Sequence, residues 1–394
     1  MILMPWKEQT VEKTREDFVK EVMAAETSKT KLCAKYGISR VTGDKWLERH
    51  QKGEGFSNRS RAPFRTPTKT DPIVENLVVQ VRLKYPAWGA RKIVRHLQNK
   101  GYTGLPSPST VCEILKRNGL VTPEASQAAR PYKRFERALP NELWQTDFKG
   151  HFPMENGMRC HPLTTLDDCS RFSLCVDAKD NERYAGVAES FCRMFEVYGL
   201  PLALLCDNGN PWGTAQTTGY TRFEVWLMQL DILPLHCRPN HPQTQGKEER
   251  FNRTLKDEVL KGMTIENLSH AQQVFDEFRD CYNNVRPHNA LNLDSPAQHY
   301  YPSERRMPKV IEQWRYPKEY KTRKVRGNGY FSFDGTAYFL SEAFLGHSIA
   351  LRESSLADCV NVYFRNFRIA RINLDEKIYV SRKIFRCVDD KQSG

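Results

Sequence analysis

The stretch Arg238 to Lys256 concentrates the groups best suited to metal and phosphate chemistry. Its first half reads as a loop, because Pro239 and Pro242 deny it a helix and Gly246 permits a tight turn. From Lys247 a helix is predicted, with Phe251, Leu255 and Val259 forming one apolar stripe. Glu249, Arg253 and Lys256 share another face, one carboxylate with two cations behind it. The carboxylate can hold a hard metal ion, and the cations can hold phosphates. Two more carboxylates lie upstream. Asp147 falls in Trp144 to Gly150, which alternates apolar and polar residues as a strand does. Asp207 ends the short apolar run Leu202 to Cys206 and is followed by a turn, the pattern of a buried strand. Asp207 is thus at the carboxyl end of a strand, where α/β folds put their ligands. Two aspartates and a glutamate from three elements suit a pair of Mg²⁺ ions flanking a phosphate, which stabilise an in-line displacement. Any one of these carboxylates could be strand-end or surface charge. The three together, beside a cationic face, argue for a site.

The residues Leu143-Trp-Gln-Thr-Asp147, Cys206-Asp-Asn-Gly209 and His241-Pro-Gln-Thr-Gln-Gly-Lys-Glu-Glu-Arg-Phe-Asn252 resemble the catalytic core of insertion-sequence transposases. These belong to the retroviral-integrase superfamily, whose Asp-Asp-Glu recombinases have a ribonuclease-H-like fold. By that resemblance Asp147, Asp207 and Glu249 are the catalytic residues and metal ligands. Asp147 is expected to bridge two Mg²⁺ (or Mn²⁺) ions, with Asp207 on one and Glu249 on the other. Glu249 is preferred over Glu248 because the family pattern is Gly-Lys-x-Glu-Arg; spacing alone leaves both open. Lys247, Arg253 and Lys256 are the expected phosphate contacts. One departure stands out: 41 residues separate Asp207 from Glu249, more than is usual in the family. The surplus falls in Pro211 to Tyr220, a loop, and loops absorb insertions at small cost.

The resemblance implies a DNA transposase. Such an enzyme binds terminal inverted repeats, cleaves the element ends to 3′-hydroxyls and joins them to target DNA. It implies double-stranded DNA as partner, a dimer or tetramer on that DNA, and a cytoplasmic, nucleoid-associated bacterial protein. A non-catalytic regulator with a relic core and a plain metal-dependent nuclease are the alternatives. The intact carboxylate set speaks against the first, and the flanking DNA-binding patterns against the second.

Composition fits this. The chain has 394 residues, 39% hydrophobic and 27% charged, with no apolar run of membrane-spanning length. Its eleven cysteines form no Cys-x-x-Cys pair, which argues against a zinc ribbon and a disulfide framework. The net charge of +13 is uneven. Residues 1–140 carry a net +13, residues 141–300 a net −7 and residues 301–394 a net +7. Basic arms flanking an acidic middle suit outer domains that grip phosphates and a central one that holds cations.

The fold class expected is multidomain: α-helical helix-turn-helix domains, an α/β ribonuclease-H-like core with a mixed sheet, and a small C-terminal β-barrel. The first helix-turn-helix domain is placed at 1–60. Lys31 to Gly37 and Arg40 to His50 are its helix pair, Ser39 the N-cap, and Val41, Trp46 and Leu47 its core. Arg40, Thr42, Gly43 and Lys45 are expected to face the major groove. Residues 51–70, with Arg59, Arg61, Arg65 and Lys69, serve as a tether or as a minor-groove arm; the sequence leaves both open. A second helix-turn-helix domain is placed at 66–125, with Arg91, Lys92 and Arg95 as phosphate contacts. A basic linker at 126–140, the core at 141–300, a basic connector at 301–326 and the barrel at 327–385 complete the expected order. In the core, Asp167 and Asp168 read as local turn residues rather than ligands. Tyr282-Asn-Asn-Val-Arg-Pro-His288 resembles the family's core ending, with Arg286 and His288 as positioning residues.

Overall fold

The computed structural model describes residues 10–58, 70–121, 137–207, 209, 211–212, 219–236, 246–356, 358–381 and 383–387. Arg59, Arg61, Arg65 and Lys69, most of the 126–140 linker and of the 211–220 loop, and the turn from Arg238 to Gln245 lie outside these residues. The chain forms two compact units, residues 1–69 and 70–394.

The first unit is a three-helix cluster: α1 Val11–Met23, α2 Lys29–Lys35 and α3 Arg40–Gln51. Ser39 caps α3, accepting from the Thr42 amide at 3.1 Å. The core is Phe18, Val19, Leu32, Cys33 and Trp46. Here the expected helix face is corrected. Gly43 is buried, and a Cβ on it would stand 2.9 Å from Cys33 Sγ and 3.0 Å from Phe18 Cζ. Only glycine lets α3 approach α2 and α1 so closely. Val41, expected in the core, is 80% exposed.

The second unit starts with another three-helix cluster, α4 Pro72–Lys84, α5 Ala90–Asn99 and α6 Pro108–Arg117. Ile93 and Leu97 of α5 and Val111, Ile114 and Leu115 of α6 pack with Val78 and Trp88.

Next comes a mixed sheet of β1 Leu143–Phe148, β2 Phe152–Pro153, β3 Arg159–Asp167, β4 Ser173–Lys179, β5 Ala203–Cys206 and β6 Leu233–His236. The order is β2-β3-β1-β5-β6, with β4 on β3. β1–β3 and β3–β4 are antiparallel hairpin pairs, while β1–β5 and β5–β6 are parallel. The parallel pairs follow from the helical crossovers α7 Tyr184–Tyr198 and α8 Arg222–Gln229. On one face, α7 and α8 bury Phe191, Phe195, Phe223 and Leu227 against Trp144, Leu163 and Leu204. A second cluster joins α9 Gly246–Leu255 and α10 Leu268–Asp280 to the sheet. Phe251 and Leu255 are buried in it, and each such side chain stabilises by about 2–3 kcal/mol. Both helices end in single π-helical turns, Lys256–Leu260 and Cys281–Val285.

The C-terminal strands are β7 Lys321–Lys324, β8 Tyr330–Phe333, β9 Thr336–Phe339, β10 Ser348–Glu353, β11 Cys359–Phe364, β12 Phe367–Asn373, β13 Ile378–Ser381 and β14 Phe385–Arg386. Asp334 and Gly335, both at positive φ, make the expected Asp-Gly hairpin between β8 and β9. The ladder expected to close as a barrel stays open among the described residues. β13 and β7 end the larger sheet, and β8 and β9 pair as a separate one. The hairpin and sheet nevertheless share one core, which also takes in Tyr220, Val225 and Met228 of the preceding domain. Among the described residues no helix is long and apolar enough to cross a membrane.

Candidate active site

Asp147 and Asp207 meet because β1 and β5 are adjacent and parallel. The ladder pairs Gln145 with Leu205, and two residues further on in each strand are Asp147 and Asp207. Glu249 is exposed in the first turn of α9, while Asp207 is exposed just past β5. Burial pushes the Asp147 carboxyl up to about 7, and the charges of Asp207, Glu182 and Glu249 add to the shift. Asp207 and Glu249 therefore both lie within electrostatic reach of Asp147. Among the described residues no three acidic, histidine or cysteine groups converge closely enough to form a ready-made metal cage. The donor set still fits a hard divalent cation. It is all carboxylate oxygen, and Asp147 in it is largely desolvated.

Several residues hold this arrangement. Asn252 Nδ2 donates to Asp147 Oδ2 at 3.3 Å. Thr164 Oγ1 donates to the Asp147 carbonyl at 3.1 Å from the facing strand. His236, at the end of β6, lies 3.1 Å through Nδ1 from the Asp207 carbonyl and 3.0 Å through Nε2 from Glu224. Both partners are acceptors. Burial favours the neutral ring, but the hydrogen bonds and charges of Glu224 and Asp207 outweigh it and raise the His236 pKa. Glu224 also closes a capping box with Thr221 at the start of α8. No motif or spacing singles out Thr164, Glu182, Glu224 or His236. Asn252 was visible only as the end of the Glu-Glu-Arg-Phe-Asn block.

Glu248 and Glu249 point apart. Glu248 is fully buried, and burial holds its carboxyl well above the usual range, with Asp147 adding to the effect and Thr164 opposing it. Asp167 is the expected turn residue, accepting from Ser170 N and Oγ at 2.8 and 2.6 Å and from Asn141 N at 2.7 Å. Asp168 does more than that. It takes Gln145 Nε2 at 2.6 Å and pairs with Lys247 Nζ at 2.6 Å, tying β1 to the start of α9. Lys247, expected on a phosphate, is thus engaged by a buried aspartate.

Arg253 and Lys256 are exposed on the Glu249 side of α9 and its π-helical turn. Lys149 joins them: burial lowers its pKa, and the charge of Lys256 lowers it further. Arg286 forms an ion pair with Glu258 at 2.9 Å, and His288 contacts the Tyr282 carbonyl at 3.3 Å, so both are tied into the end of the core.

The second three-helix cluster revises two expected DNA contacts. Arg91 is exposed, but Arg95 pairs with Asp294 of the core at 2.7 Å. Lys92 is partly buried, and burial followed by the charge of Arg286 depresses its pKa to about 7. Both face the core because α5 docks beside residues 281–294. In the first unit Arg40 and Lys45 are exposed as expected, whereas Thr42 is half-buried, its hydroxyl 2.9 Å from that of Ser39.

Comparison with known proteins agrees with the fold. Residues 137–242 and 230–296 each match the family described as Integrase core domain. Residues 42–115 match Homeodomain-like domain, which implies DNA binding, and residues 320–379 match IS481 family transposase, C-terminal domain. The chain is 24% identical to a putative transposase for insertion sequence element IS5376 of Geobacillus stearothermophilus, covering 93% of this chain and 89% of that protein. It is 24% identical to the transposase for insertion sequence element IS21 of Pseudomonas aeruginosa, covering 72% of each. Among solved structures, the HTLV-2 integrase catalytic core domain in complex with magnesium aligns with 41% of this chain and 97% of that one. Its identity is 18% and its TM-score 0.32, too low to bear on function. The domain matches and the transposase relatives together support an insertion-sequence transposase of the integrase superfamily, a polynucleotidyl transferase.

Proposed function

We propose that this transposase binds the terminal inverted repeats of its element, hydrolyses a phosphodiester at each end to leave a 3′-hydroxyl, and joins that hydroxyl to target DNA. Asp147, Asp207 and Glu249 hold two divalent cations, Mg²⁺ or Mn²⁺. When bound, such cations activate the attacking oxygen and offset charge on the leaving one. The chain's own part is positioning and charge. Phosphoryl transfer needs little covalent help from protein groups. Asn252 and Thr164 fix Asp147, His236 fixes the backbone of Asp207, and the Lys247–Asp168 pair fixes the start of α9. Lys149, Arg253 and Lys256 hold the phosphates on either side of the scissile bond. The helical clusters before the core grip the ends, with the domain limits 1–60, 66–125, 141–300 and 327–385. The C-terminal β-domain adds a basic surface for DNA.

One observation carries this reading. Asp147 on β1 and Asp207 just past the neighbouring parallel strand β5 come to the same end of the sheet, where burial first, and then the charges of Asp207, Glu182 and Glu249, raise the Asp147 pKa. The test is strand transfer of a labelled end oligonucleotide into plasmid with Mg²⁺ or Mn²⁺. Asp147→Asn, Asp207→Asn and Glu249→Gln each keep shape but remove charge. Each is expected to lower cleavage and joining at least about a thousandfold, on the scale of a lost charge-stabilising catalytic group, while end binding persists. Joining by any of the three at the unaltered rate sinks the assignment. Cleavage without joining by the unaltered protein identifies a nuclease instead.

A further inference from the structure

We propose that Val41 reads sequence, packing against the C5 methyl group of a thymine in the major groove. The inference rests on the reading that the first unit grips a specific duplex.

The geometry of α3 carries it. Arg40, Val41, Asp44 and Lys45 are exposed along one side of the helix, while Gly43 and Trp46 are buried on the other. The helix cannot roll to cover Val41. Gly43 already sits against Cys33 and Phe18 with no room for a Cβ, and Trp46 is 6% exposed. Val41 is 80% exposed, in the first turn of the helix, where valine is not a favoured residue. Nothing in the fold rewards an aliphatic side chain there.

Its surroundings select the occupant. Arg40 and Lys45 flank it, and Arg40 has no hydrogen-bond or ion-pair partner among the described residues. The acidic residues on this face, Asp44 and Glu48, are offset by Lys29 and Lys52, each at 2.5 Å. An apolar side chain between cations fits a polyanion that offers an apolar spot. In the major groove of duplex DNA that spot is the thymine methyl, since the other base edges present donors and acceptors. The cations take the phosphates on either side, which position the helix without reading sequence.

The test uses the full chain without divalent metal, so that binding is read apart from catalysis. Duplexes are selected from a random pool, the protected site is mapped, and each protected thymine is replaced in turn by deoxyuridine, which lacks only the methyl. At one or two positions the replacement is expected to weaken binding about fourfold, the worth of one buried methyl-sized group. Val41→Ser is expected to bind the thymine site about fourfold less tightly and to ignore the replacement. Val41→Ile keeps the discrimination. Thermal melting is expected to be the same for all three proteins, because the side chain is exposed. Equal binding of every deoxyuridine duplex by the unaltered protein overturns the proposal, as does undiminished discrimination by Val41→Ser. Specific selection with no methyl dependence removes only this proposal. Failure to select any sequence removes it together with the end-binding reading beneath it.

Discussion

The adjacent pair Glu248 and Glu249 separates two uses of one side chain. A helix turns about 100° per residue, so neighbours in sequence point in different directions. Glu249 is exposed and its charge acts on Asp147, while Glu248 is fully buried. Burial favours the neutral acid at Glu248, and glutamine has the same shape and no charge. Glu248→Gln is therefore expected to change stability by less than about 1.5 kcal/mol, as volume-conserving core changes do. Joining activity should stay within about threefold, since so small a stability change leaves the fold populated. Urea unfolding and the joining assay check the two parts. If Glu248→Gln folds but is inactive while Glu249→Gln is active, the carboxylate register is off by one. The Lys247–Asp168 pair makes the same point at a neighbouring position. A lysine beside the site was read as a phosphate contact, yet its charge is taken up by an aspartate that is 1% exposed. Its partner lies 79 residues away, beyond the reach of any spacing argument.

Helices and strands were legible wherever periodicity and punctuation agreed. β1 overlaps the run Trp144 to Gly150 and β5 falls in the run Leu202 to Cys206, as the alternation and the apolar run indicate, and α3 falls where the Ser39 cap places it. What escaped was the orientation of elements that dock on partners distant in sequence. Apolar-inside reasoning put Val41 in the core, because nothing local revealed that Gly43 is the point of closest approach. Basic-means-DNA reasoning put Lys92 and Arg95 on phosphates, because their partners Glu258, Arg286 and Asp294 belong to the end of the core. That junction is rich in cations, and it has a consequence for pH. His288 is buried there, facing Arg286, Lys92, Arg171 and Tyr282. Burial first, then Arg286 and Lys92, lower its pKa to about 2 from an ordinary 6.5. The unfolded chain binds a proton at His288 below pH 6.5 and the folded chain does not, so its contribution to stability is present above 6.5 and falls as the pH drops toward 2. Lys92, with a pKa of about 7, is already charged across most of that range. Thermal or urea unfolding at pH 7.5 and 5.5 should show the unaltered protein losing about 1.4 kcal/mol more than His288→Asn for the unit below 6.5. Parallel pH dependence in the two proteins would falsify the assignment of this loss to His288.

At the scale of the whole molecule, chemistry and recognition are divided. Val41 and its neighbours belong to the unit 1–69, and the three carboxylates to the unit 70–394. In the second unit the three-helix cluster docks on the core through Arg95 and Asp294, and the C-terminal β-domain docks through Tyr220, Ser341 and Arg365. Joining both ends of an element takes two strand-transfer events, and each chain offers one carboxylate set. We therefore expect two chains to act together. If each set works on the end gripped by the partner chain, cutting is impossible until both ends are present, which protects the element from a single-ended break. We expect catalysis in trans for that reason. The check mixes two proteins, each inactive alone on its matched end. One carries Glu249→Gln with an intact α3. The other keeps Glu249 but carries Arg40→Ala and Lys45→Ala, which weaken its grip on the end. Trans action predicts that the mixture regains joining of the end bound by the Glu249→Gln chain, to about a quarter to a half of the unaltered rate if chains pair at random and each active site works alone. Catalysis confined to one chain predicts no recovery at any mixing ratio, although sedimentation shows the two proteins associated on DNA.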